Sequence, residues 1–79
     1  MKLIVSPTSN RQRFDVIVES TINGVHSKKY LANELPLIHV TQLLPTLILI
    51  YGCFGYKVTK EDPYPMGGRV VVLERQGTL

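Results

Sequence analysis

Between Leu35 and Tyr56 the chain has no Asp, Glu, Lys or Arg, although charge is spread through the rest of its 79 residues. Such a run has to leave water, and two media can receive it: a lipid bilayer or the protein's own core. A spanning helix needs about 20 predominantly apolar residues. The first part of this stretch, Leu35 to Gln42, is diluted by His39, Thr41 and Gln42, and Pro45 then removes a backbone donor. Only Leu43 to Tyr56 is dense, which amounts to about 21 Å of helix, a core-helix length. His39, Gln42 and Thr46 recur at steps of three and four. That spacing predicts a helix with one narrow polar stripe, laid across a sheet face and otherwise largely covered. A short membrane protein with one hydrophobic segment is the alternative.

The flanks read as strands. Lys2 to Val5 is a short apolar run ended by Ser6-Pro7. Arg13 to Ile22 alternates, with Phe14, Val16, Val18 and Ile22 on one side. Asn23-Gly24 follows directly, and both residues tolerate the positive φ of a type I′ hairpin turn. The register can therefore be written from sequence: Ile22 opposite Val25, Thr21 opposite His26, Glu19 opposite Lys28, Ile17 opposite Tyr30, and Val16 opposite Leu31. Asn33 is the expected helix cap, with Pro36 in the first turn; Thr41 is the cap if the region holds two short helices. Gly52 or Gly55 ends the helix, and Gly55 to Lys60 is the fourth strand. Glu61 to Gly68 reads as a loop, and Arg69 to Arg75 as the last strand.

The expected fold class is α+β, in one small domain covering residues 1–79. A mainly antiparallel sheet of four to five strands, in the order βββαββ, carries one bent or broken helix on one face. Phe14, Val16, Val18, Val25 and Leu31 are the residues expected against that helix.

No catalytic set assembles from this sequence. Cys53 sits in the apolar run Tyr51-Gly52-Cys53-Phe54-Gly55 and is expected as a small core residue. His26 is expected beside the hairpin turn and His39 in the polar stripe. Too few ligands lie at close spacing for zinc, and Gly67-Gly68 lacks the Lys of a phosphate cradle. The expectation is no enzyme, no metal and no cofactor. One cysteine permits no intrachain disulfide, so the cytoplasm is the default compartment.

What remains is surface. Arg13, Ile17, Glu19, His26, Lys28 and Tyr30 should share the sheet face away from the helix, an apolar spot ringed by charge that suits a protein interface. Tyr64 and Met66, held between Pro63, Pro65 and Gly67, form a second candidate. The leading expectation is a non-enzymatic protein-binding module, an adaptor or inhibitor that occupies a partner's surface. In size alone it is similar to phage-type inhibitors of host defence machinery, and no motif carries that likeness. The net charge of +3 supports a second class. Up to Leu31 the cations Lys2, Arg11, Arg13, Lys28 and Lys29 outnumber Asp15 and Glu19, whereas the remainder is balanced. Arg11, Arg13, Lys28 and Lys29 on phosphates, with Tyr30 stacking on a base, would make a small nucleic-acid binder. A homodimer through the open sheet face or an edge strand is the last alternative.

Overall fold

The computed structural model describes residues 1–9, 12–64 and 67–75. It is an α+β fold in which five strands and one helix follow the expected order: β1 (Lys2–Pro7), β2 (Arg13–Ile22), β3 (Val25–Pro36), α1 (Leu37–Cys53), β4 (Tyr56–Tyr64) and β5 (Gly68–Arg75). All pairings are antiparallel, and the strands lie side by side as β3-β2-β1-β5-β4. β1 is thus the central strand. The helix carries the chain from one edge of the sheet to the other, after which the β4–β5 hairpin folds back against β1.

The β2–β3 hairpin turns at Asn23 and Gly24, whose φ values of 53° and 78° are those of the expected turn. The predicted register holds from Ile22↔Val25 as far as Ile17↔Tyr30. It then fails. Val16 pairs with Ala32 and not Leu31, and Phe14 pairs with Leu35, so β3 carries extra residues at two places. At the second, Glu34 adopts φ 57°, and its freed backbone groups are met by β2 side chains. The Glu34 N–H donates to Asp15 Oδ1 at 3.0 Å, and Arg13 Nη1 donates to the Glu34 carbonyl at 3.0 Å. Asp15→Ala is expected to remove about 1 kcal/mol, roughly 5 °C of melting temperature. Glu34→Gly should hold or raise it, because glycine accepts that φ without a Cβ penalty; differential scanning calorimetry reads both.

Because the β2–β3 ladder runs on through Arg13↔Pro36, Asn33 lies within a strand and does not cap the helix. The cap position is Pro36, with φ −66° and ψ 155° and no side-chain hydrogen bond. One helix, not two, continues through Pro45 to Cys53. Its end is Gly55, at φ 92°, with Phe54 N–H donating to the Tyr51 carbonyl at 3.0 Å and Gly55 N–H to that of Gly52 at 3.1 Å. β4 reaches Tyr64, so Glu61 to Tyr64 is strand where a loop was expected. Pro63 is tolerated there because β4 is an edge strand.

The helix lies on the sheet face that presents Leu3, Val5, Phe14, Val16, Val71 and Leu73. One buried cluster joins Val5, Phe14 and Val16 to Val40 and Leu44 of the helix. The other joins Leu3, Val71 and Leu73, with Val18, Leu47, Ile48 and Tyr51 packed around them. Two expected core residues fall outside. Val25 is 68% exposed, at a hairpin tip that contributes to neither cluster, and Leu31 is exposed where β3 bulges. Among the described residues, no helix is long and apolar enough to cross a membrane.

Candidate functional site

Strand alternation and register determine what the other sheet face presents. Reading across the strands from β3 to β4, one row runs Tyr30, Ile17, Ile4, Val70, Asp62, and the next runs Lys28, Glu19, Lys2, Val72, Lys60. The first row is apolar from Tyr30 to Val70, and the second brings Lys28, Glu19, Lys2 and Lys60 alongside it. Among the described residues no element covers this face.

The polar groups of the margin engage one another. His26 Nε2 lies 3.3 Å from Glu19 Oε1, and its Nδ1 lies 3.3 Å from Thr21 Oγ1. Lys28 stands opposite Glu19 as expected, but its Nζ lies over the Tyr30 ring, 5.7 Å from the centroid. That contact is a cation–π geometry, and it holds the Tyr30 ring beside the cation at the rim. On β4, Lys60 and Asp62 pair at 3.5 Å.

Of the sequence-predicted residues, His26, Lys28 and Tyr30 come together on β3, and Tyr30 is half exposed. Ile17 shares their face but is only 5% exposed, flanked in register by Tyr30 and Ile4. It supports the surface from beneath and is not a contact residue. Arg13 lies four residues further along β2 and is committed to the Glu34 carbonyl, a structural role. Tyr64 is partly exposed on β4, the opposite edge, about 19 Å from β3 at ordinary strand spacing. Met66 and Arg11 lie outside the described residues.

The proposed phosphate-binding set is dispersed. Lys28 and Lys29 point to opposite faces, and Arg13 is six residues from Glu19, the partner of Lys28, or about 20 Å along the strand.

The chain matches no family model, no curated protein and no solved structure.

Among the described residues, no three of His, Cys, Asp and Glu gather as metal ligands would. His39 and Cys53 sit on one helix fourteen residues apart, which separates them by about 21 Å along its axis. Cys53 is exposed, contrary to expectation, because it falls on the side of α1 turned away from the sheet. His39, Gln42 and Thr46 are exposed as predicted, but the helix is not otherwise covered: Leu37, Ile38, Leu49, Ile50 and Phe54 are exposed as well. This second surface had a signal in the sequence. A helix apolar around most of its circumference cannot bury all of it against one sheet.

Proposed function

We propose that the chain is a non-enzymatic protein-binding module that acts by covering part of a partner's surface with the open face of its sheet, as an adaptor or inhibitor does. The observation that carries this reading is the uncovered row Tyr30–Ile17–Ile4–Val70, apolar at its centre and edged by Lys28, Glu19, Lys2, Lys60 and Asp62. Tyrosine beside a cation, over a firm apolar base, is the composition from which interface hot spots are built. Holding the Lys28–Tyr30 pair in place before binding reduces the side-chain entropy lost on association.

The double variant Tyr30→Ala, Lys28→Ala tests this directly. Both positions are exposed, so the circular dichroism spectrum and melting temperature should stay close to those of the unaltered chain. In affinity purification from the native host, the species captured by the unaltered chain should be lost, with affinity about 30-fold weaker or more, as for a hot-spot tyrosine. Equal capture by both proteins would reject this face as the site. Binding to a single-stranded oligonucleotide at low salt that weakens steeply as salt rises would favour the nucleic-acid alternative instead.

A further inference from the structure

The helix-bearing side of the sheet is only partly roofed. Five strands at ordinary spacing span about 19 Å between the outer axes, whereas a helix with its side chains is about 10 Å wide. α1 buries only Val40 and Leu44 outright and leaves a groove on each flank. One groove, of about 270 Å³, lies between the helix and the β4–β5 hairpin, with Val5, Pro45 and Val71 in its wall and the Glu61–Arg69 pair at its edge. The other runs beside β3 and is lined by Leu31, Ala32, Leu35 and Leu43. At about 100° per residue, Ile38, Gln42, Pro45, Leu49 and Cys53 form a ridge on the helix opposite Val40 and Leu44.

We infer that this ridge is covered by the same ridge of a second copy, α1 against α1 across a two-fold axis, giving a dimer whose two sheets are its outer layers. Area and charge both favour that occupant. On the ridge Ile38 and Leu49 are 64% and 70% exposed, and Gln42, Pro45 and Cys53 are exposed as well. At about 90 Å² apiece these five offer about 450 Å² per copy, or about 900 Å² in total, the size of a weak interface that forms at micromolar concentration. An isologous contact sets a surface against itself, so any charge on it meets its own sign. From Leu35 to Tyr56 there is none to meet, whereas the chain as a whole carries +3. The same lack of Lys and Arg leaves the ridge without the cations that hold amphipathic helices on anionic lipid. It also gives a charged protein partner nothing to pair with.

Sedimentation equilibrium of the unaltered chain at tens of micromolar is expected to return about twice 8.9 kDa. Leu49→Glu, at a position 70% exposed and outside both core clusters, should keep the far-ultraviolet spectrum and weaken association by about 100-fold or more, giving the monomer mass. Ile38→Glu should do the same. The Tyr30→Ala, Lys28→Ala variant on the opposite face should remain a dimer, so loss of partner capture and loss of the dimer can be told apart. A monomeric unaltered chain, a dimer that survives both glutamate substitutions, a dimer broken by the sheet-face variant, or flotation of the monomer with phosphatidylcholine vesicles would each overturn the inference.

Discussion

Replacing Leu3 with alanine is expected to remove about 2–5 kcal/mol of stability, the usual cost of emptying a fully enclosed leucine site. Leu3 is 0% exposed and stands on the central strand. With Val71 and Leu73 it forms the cluster over which Leu47, Ile48 and Tyr51 of the helix are packed. Relaxation into the vacated space is restricted because β1 is hydrogen-bonded on both sides, to β2 and to β5. A chain of 79 residues has only about 4–12 kcal/mol in all, so the variant gives up a large share of its stability and unfolds outright if the total lies at the lower end. Urea denaturation followed by circular dichroism measures the loss. Ile22→Ala, at a position 66% exposed, should shift the midpoint little and serves as the control. A Leu3→Ala midpoint as little changed as that of Ile22→Ala would mean that the cluster is not the core.

The second large effect is expected at Gly68. This residue opens β5 and is buried; a Cβ added there would run into the carbonyl oxygen of Val5 and lie 3.1 and 3.2 Å from Tyr64 Cβ and Cδ2. Tyr64 can turn aside, but the Val5 carbonyl belongs to the paired backbone of β1. Gly68→Ala should therefore cost about 1–3 kcal/mol and lower the melting temperature by about 5–20 °C. Gly52→Ala provides a contrast of opposite sign. Gly52 lies in the helix with nothing within 4 Å of its added Cβ, so alanine there should stabilise by about 0.5–1 kcal/mol. Equal melting temperatures for the two variants would show that β1 and β5 do not approach so closely.

Where a local chemical signal existed, the sequence was a sound guide. Asn23-Gly24 set the turn, and with it the pairing from Ile22↔Val25 to Ile17↔Tyr30. That inference stopped at Leu31 because β3 is too polar to carry an apolar alternation in which the inserted residue would show as a break. The supports of the second bulge, Asp15 and Arg13, look like ordinary surface charges until Glu34 is seen beside them. Alternation correctly assigned Ile17 to the face away from the helix. It could not show that Ile17 is enclosed there, since that depends on β1 supplying Ile4 from elsewhere in the chain. The exposed apolar side of α1 and the exposed Cys53 share one cause. A charge-free run announces that much of it avoids water, but the breadth of surface available to cover it is a property of the tertiary arrangement.

Two ladder bonds, Met1 N to the Leu73 carbonyl at 3.1 Å and Leu73 N to the Met1 carbonyl at 2.8 Å, tie together positions 72 residues apart. The middle of the sheet is therefore stitched from the two most distant parts of the described chain, so closing this seam carries the entropy of the longest loop among the strand pairings. A nascent polypeptide would hold β1 with one edge vacant until β5 emerged, so the pairing that completes the centre of the sheet waits for the far side of the described chain.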